Sequence, residues 1–229
     1  MVEEPRQITW LSCGLAFVGG YGDAASFILA KTFTGHVTGN FVLTAISLAG
    51  QDWQTFLRRV LAIALFILGI ILSVMLDRWL ARKLSGSFLS WVLGLEILLI
   101  SLSYVLLTSA FAARLGLFVT CMAIALGLQN GAWREAGGIT VHSTYLTGMI
   151  TSLVTSGTQR YIFKTPGEAR AAAKISLLSG IWLAFVAGAT AGAALVFGLG
   201  ALGILGSALV LLALLIYQSF TSRRGPGKG

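Results

Sequence analysis

Charged side chains are scarce in this chain. They make up 10% of its 229 residues, against about 25% in soluble domains, so a soluble fold would lack the polar surface it needs. Histidine and cysteine occur twice each. Cys13 and Cys121 both lie inside apolar stretches, which excludes a disulfide framework and leaves them as small buried hydrophobes. Two histidines without a third ligand at suitable spacing make a metal site a poor expectation, and no cofactor is expected. There is no phosphate loop and no nucleophile–base–acid set, and Gly19-Gly20-Tyr21-Gly22 has no strand before it to make a dinucleotide fingerprint. The chain is therefore not expected to be an enzyme.

What the chain has in abundance is hydrocarbon: 56% hydrophobic residues and a mean hydropathy of +0.87. Six stretches, at about 8–29, 57–77, 88–110, 115–133, 174–197 and 199–218, reach the roughly 20 residues that cross a bilayer. The first is expected to be retained as a span, since a cleavable leader would want a basic start and a shorter core. Two further stretches, about 36–50 and 142–157, are studded with Thr, Ser, Asn and His. A helix of that length is about 22 Å long, short of a hydrocarbon core of about 30 Å. The expected fold is an all-α integral membrane protein, one domain over 1–229. It has six transmembrane helices plus two short re-entrant or broken helices, with a flexible basic tail over 219–229.

The two halves look duplicated. Gly20-Tyr21-Gly22-Asp23 precedes Thr34-Gly35-His36-Val37-Thr38-Gly39-Asn40, and Gly127-Leu128-Gln129-Asn130 precedes His142-Ser143-Thr144-Tyr145-Leu146-Thr147-Gly148. Each pairs a helix ending in a carboxylate or amide with a Thr-Gly about sixteen residues on. The repeats run about 8–110 and 115–218. If the short elements do not cross, each half has three spans and the halves are inverted; if both cross, there are eight spans and the halves are parallel. Lys and Arg arbitrate, because they collect on the inner side. Six spans put twelve of them inside and four outside, against eleven and five for eight spans. The six-span, inverted arrangement is expected, with the loop 157–174 and both termini inside, where anionic lipid attracts basic segments. Trp10, Trp53, Trp79, Trp91 and Trp133 fall near span ends, as amphipathic rings do, while Trp182 lies inside a span and is expected to pack.

Polar groups inside such a chain carry its chemistry. Asp23 sits some two-thirds along the first span, where an ionised carboxylate costs about 2.5–3.5 kcal/mol; a cation, a proton or donors from the nearby break would offset that. Thr34 or Thr38 could cap the short helix, leaving its amides and positive end to an anionic solute. Gly35 and Gly39 would equally serve close helix packing alone. His36 and His142 border the short elements as proton relays or as hydrogen-bonded structural groups. Gln129 and Asn130 could bond the freed backbone of the second break. The expected pathway residues are Asp23, His36, Thr38, Gly39, Asn40, Gln129, Asn130, Thr144, Thr147 and Gly148, with Glu96, Arg134 and His142 as secondary candidates. Glu96 could pair with Arg134 or stay protonated. Ala184, Gly188 and Gly192 make a smooth ridge for helix contact and no chemistry.

At these motifs the chain resembles the YoaK-like bacterial membrane proteins, a domain of unknown function. The family's Gly-Tyr-x-Asp-Ala falls on Gly20, Tyr21, Asp23 and Ala24, and its Thr-Gly-Asn on Thr38, Gly39 and Asn40. Its Gly-x-Gln-Asn falls on Gly127, Gln129 and Asn130, and its Thr-Tyr-x-Thr-Gly on Thr144, Tyr145, Thr147 and Gly148. The resemblance implies a six-spanning protein of the bacterial inner membrane and supplies no substrate. Trp133-Arg134-Glu135 stands where relatives are often more basic.

Interrupted, duplicated helices are the best sequence pointer to a transport site. The leading expectation is a small-solute transporter or permease. Asp23 and Asn130 would face each other across the pseudo-twofold, with a proton or sodium ion coupled through Asp23. The alternative is a non-transporting scaffold or accessory subunit. The expected partners are the lipid bilayer and a small solute, with a homo-oligomer left open. Nucleic acid is excluded, since too little polar surface remains to gather the basic residues on one face.

Overall fold

The computed structural model describes residues 5–83, 88–136, 139–140, 146–163 and 168–223. Among these the chain forms α1 (Pro5–Ala30), α2 (Val37–Ala49), α3 (Trp53–Lys83), α4 (Phe88–Thr108), α5 (Arg114–Ala132), α6 (Leu146–Tyr161), α7 (Glu168–Leu199) and α8 (Leu205–Arg223). A 3-10 turn, Gly200–Ile204, joins α7 to α8, and a two-stranded antiparallel ribbon, Glu135–Ala136 with Ile139–Thr140, follows α5. Most expected boundaries lie within a few residues of these. The ribbon was not expected, α6 begins later than 142, and α8 continues helical to Arg223, so only the end of the expected tail lies beyond it.

Among the described residues, five helical stretches are long and apolar enough to cross a membrane: Gln7–Ala30, Trp53–Trp79, Phe88–Thr108, Arg114–Ala132 and Ala172–Thr221. The last has 50 residues, about 75 Å if straight and over twice a hydrocarbon core. It is not straight. Gly200 adopts φ +60, which an L side chain rarely tolerates, and the chain doubles back there. The Tyr21 hydroxyl donates to the Gly203 carbonyl and fixes this turn against α1.

The outside of the bundle is apolar. Ile67, Ile71 and Met75 on α3, Leu98, Leu102 and Val105 on α4, and Leu209, Leu212 and Ile216 on α8 are all exposed. Such continuous apolar surface suits hydrocarbon, not water. Trp182, expected to pack, also lies on this surface. The core is built on α1 and α5, which are 61% and 67% buried over their central windows; the other spanning stretches reach 33% at most.

The contacts fix the direction of each helix. α1 and α7 run parallel, with Cys13 against Gly180, Phe17 against Gly188 and Tyr21 against Gly192. α3 and α5 likewise run parallel, with Phe66 and Gly69 against Gly127 and Ser73 against Gly131. A Cβ at Gly188 would land on the Phe17 carbonyl, and one at Gly127 on the Phe66 carbonyl, so glycine permits backbone-to-backbone approach at both crossings. The ridge read from the sequence thus contacts α1. α5 is antiparallel to α1: Trp133 Nε1 donates to Ser12 Oγ at 2.9 Å, and Gln129 Nε2 to the Leu15 carbonyl at 3.0 Å. α8 is also antiparallel to α1, with Gln7 Nε2 donating to Thr221 Oγ1 at 2.9 Å and Gly14 against Leu214.

Candidate functional site

The chain leaves α1 at Ala30 and reverses at Lys31, whose φ is +55. It then returns alongside α1 to Asp23, seven residues or about 10 Å back from the helix end. There three consecutive amides converge on one carboxylate oxygen. Thr34 N–H donates to Asp23 Oδ1 at 2.9 Å, Gly35 N–H at 2.7 Å and His36 N–H at 3.3 Å. α2 starts at the next residue. Asp23 is buried, and its other oxygen, Oδ2, has no hydrogen-bond partner among the described residues. The start of α2 is thus capped by a carboxylate from α1, not by a threonine beside it. A negative group at a helix N-terminus also meets the positive end of the helix dipole.

This differs from two expectations. Thr34 contributes its amide to the cap, while its hydroxyl contacts Ser26 Oγ at 3.0 Å. Thr38 is exposed and makes no cap, and His36, at the N-cap position, makes no side-chain cap bond. The amides expected to receive an anionic solute are already occupied by Asp23. Asn40 brackets the returning loop: its Oδ1 accepts from Phe33 N–H at 3.1 Å and its Nδ2 donates to the Phe33 carbonyl at 2.6 Å. The Phe33 ring stacks on Phe27 and meets His36 edge-on. Gly39 lies against those rings; a Cβ there would be 2.5 Å from His36 Cδ2.

Arg58 and Arg59, counted in the sequence only for topology, hold the other end of the loop. Arg58 Nη1 donates to the Ala30 carbonyl at 3.0 Å. Arg59 is buried; its Nε and Nη2 donate to the Lys31 carbonyl at 3.2 and 3.0 Å. Its Nη1 donates to the Leu43 carbonyl and to Ser47 Oγ, both at 2.5 Å. The α1 end, the second half of α2 and the first turns of α3 therefore share one level, with the α2 start beside Asp23 below it. The signal that could have found this pair is that the topology expected from the sequence places it on the side where basic residues are disfavoured.

The second knot does not mirror the first in side-chain detail. Gln129 Nε2 donates to the Leu15 carbonyl and Asn130 Nδ2 to the Leu126 carbonyl in its own helix. His142 and Thr144 lie outside the described residues. Thr147 is exposed and Gly148 half-buried in the first turn of α6. Because Gln129 is level with Leu15, eight residues before Asp23, the two knots are offset by about 12 Å along the bundle. Asp23 and Asn130 do not face each other: antiparallel α1 and α5 carry them toward opposite ends. Arg134 is exposed at the end of α5. Glu96, fully buried on α4, has no hydrogen-bond partner on either carboxylate oxygen among the described residues, so the pairing with Arg134 is not made.

The family profile described as "Protein of unknown function (DUF1275)" matches residues 11–217. The UPF0700 transmembrane protein YoaK of Bacillus subtilis (strain 168) is 27% identical over 154 residues, 67% of this chain and 66% of the relative. The match thus spans a little under two thirds of that protein's length. No solved structure matches. With apolar helices of spanning length and the transmembrane relative beside the profile match, this chain is a multi-pass membrane protein and belongs to the DUF1275 family.

Proposed function

We propose that the protein is a small-solute transporter of the bacterial inner membrane, built from two inverted repeats, with Asp23 as its ion-coupling acid. In this reading α1, α3, α4, α5, α7 and α8 cross the bilayer, while α2 and α6 enter and leave on one side. The helix directions support it. α1 and α7 run one way and α3, α5 and α8 the other, so α2 connects two helix ends at one face of the bundle and α6 two at the opposite face. The same correspondence relates the parallel pair α1–α7 to the parallel pair α5–α3, as an inverted repeat requires. The contact between Gln7 and Thr221 holds the two terminal helices together at one face. The basic residues of the loop and tail favour the cytoplasmic side for it.

The observation that carries the reading is Asp23: a buried acid at the start of a half-helix, with one oxygen saturated by three amides and the other unpartnered. The equivalent position in the second repeat is the uncharged Asn130, so the repeat itself does not require a charge there. An acid kept at one of two equivalent places, inside the membrane, points to an ion. The amides being taken, the solute contacts other surfaces of the cavity.

The test is a thermal-shift screen of the purified protein against metabolites, followed by uptake into proteoliposomes. Asp23→Asn keeps an oxygen for the three amides; it is expected to fold and to lose ion-coupled uptake. Uptake by that variant equal to the parent at every pH removes the coupling role. If no solute ever shifts the melt while Asp23 variants lose stability, the scaffold reading replaces the transporter.

A further inference from the structure

Asp23 does not stand alone. Ser26 lies three residues on, on the same face of α1, and its hydroxyl is 3.0 Å from Thr34 Oγ1. Thr34 is the residue whose amide donates to Asp23 Oδ1 at 2.9 Å. Asp23, Ser26 and Thr34 are thus neighbours, with the two hydroxyls in contact with each other and Asp23 Oδ2 without a hydrogen-bond partner among the described residues. All three residues are at least 97% buried, with Ser26 at 0% and Thr34 at 1% exposure. A cap needs only Oδ1. It leaves Oδ2 buried without a hydrogen-bond partner among the described residues.

Resting on the reading of Asp23 as the coupling acid, we propose that Asp23 Oδ2, Ser26 Oγ and Thr34 Oγ1 form a site for a dehydrated monovalent cation of the size of sodium. The donor set is all oxygen, which hard alkali and alkaline-earth cations take. The charge count fixes the valence. One carboxylate neutralises one positive charge, whereas a divalent ion here would leave an uncompensated buried charge. Each hydroxyl has two lone pairs and spends at most one on its neighbour, so both can still face the ion. His36 is the residue whose charge reaches Asp23; Arg58, Arg59 and Lys31 do not compete. Arg58 and Arg59 are bound to carbonyls at the end of α1, about 10 Å away along the helix. Lys31 Nζ lies 5.9 Å from the centroid of the Phe27 ring. The second repeat has no counterpart, since Asn130 brings no charge. A proton on Asp23 would need at most one hydroxyl as its acceptor and gives no response to sodium at constant pH, so the sodium response separates the two ions experimentally.

The experiment is thermal unfolding of the full chain in detergent, with NaCl replacing KCl or choline chloride at constant ionic strength and pH. Sodium is expected to raise the midpoint saturably, and potassium and choline are not. Even an outer partner of a metal ligand is worth about 10- to 100-fold in affinity. Ser26→Ala and Thr34→Val, which leave the cap amides and Asp23 in place, are expected to raise the apparent sodium dissociation constant about tenfold or more, by the same scale. Asp23→Asn should abolish the sodium effect; should it fail to fold, the two hydroxyl variants still decide. Equal stabilisation by sodium and potassium, no stabilisation by either, or an undiminished sodium response in both hydroxyl variants would overturn the proposal. Sodium binding without uptake of any solute would preserve the site and defeat the transporter; uptake indifferent to sodium would do the reverse.

Discussion

Replacing Asp23 by alanine removes the acceptor that the Thr34, Gly35 and His36 amides have among the described residues. An ordinary N-cap is worth about 0.5–2 kcal/mol, but its freed amides can turn to water. Here Thr34 and Gly35 are buried. A buried donor left without a partner costs about 1–3 kcal/mol. With partial relaxation of the loop, Asp23→Ala should destabilise by about 3–6 kcal/mol on that scale. Asp23→Asn presents the same oxygen without its charge. A neutral hydrogen bond is roughly half as strong as a charge-assisted one, so a loss of only about 1–2 kcal/mol is expected. The assay is denaturant titration in mixed micelles, followed by tryptophan fluorescence. An alanine variant within about 1 kcal/mol of the parent, below the penalty for even one stranded donor, would refute the cap. So would an asparagine variant as damaged as the alanine one, because the charge and not the acceptor would then be what matters.

Three further outcomes follow from other groups. Arg59→Ala, which breaks four hydrogen bonds to Lys31, Leu43 and Ser47, should cost about 2–4 kcal/mol. It should also raise hydrogen exchange across 37–49, and Arg59→Lys should recover only part because it lacks the planar fork. Glu96→Leu removes a buried carboxyl whose unmet hydrogen bonds cost about 1–3 kcal/mol; stability equal to or above the parent is expected, and a large loss would mean that Glu96 has a partner. In the turn before α3, the Thr55 hydroxyl and then its amide hold the Asp52 carboxyl below its usual range. The stability this adds is present above the ordinary carboxylate pKa and is lost as pH falls through the lower folded value. Asp52→Asn should therefore flatten the acid limb of the melting curve.

Much of the fold was legible because hydrocarbon imposes a strong pattern. A span needs an unbroken apolar stretch, and the polar interruptions at 31–40 and after Asn130 mark where those stretches end. The helix ends were accordingly close. The ribbon at 135–140 escaped notice because two-residue strands have no periodicity to read. The partner of Asp23 was not legible in detail, since an acid capping amides eleven to thirteen residues away depends on where the loop folds back. Local capping rules favour Thr34 or Thr38, and tertiary packing overrode them. Arg59 was hidden for the same reason: a basic residue near a span end looks like a topology marker until its carbonyl partners are in place. The offset between Asp23 and Asn130 required helix directions and contacts that spacing alone does not carry.

The account depends on α2 entering from one face and returning to it. The most direct measurement is labelling of single cysteines at Lys31, Gln54 and Phe111 by a membrane-impermeant thiol reagent in intact cells, in a background lacking Cys13 and Cys121. All three positions should label from the same side, with a cysteine at Ile162 protected until the membrane is opened. Labelling of Lys31→Cys and Gln54→Cys from opposite sides would mean that α2 crosses the bilayer, and would contradict the inverted architecture and the site built on it.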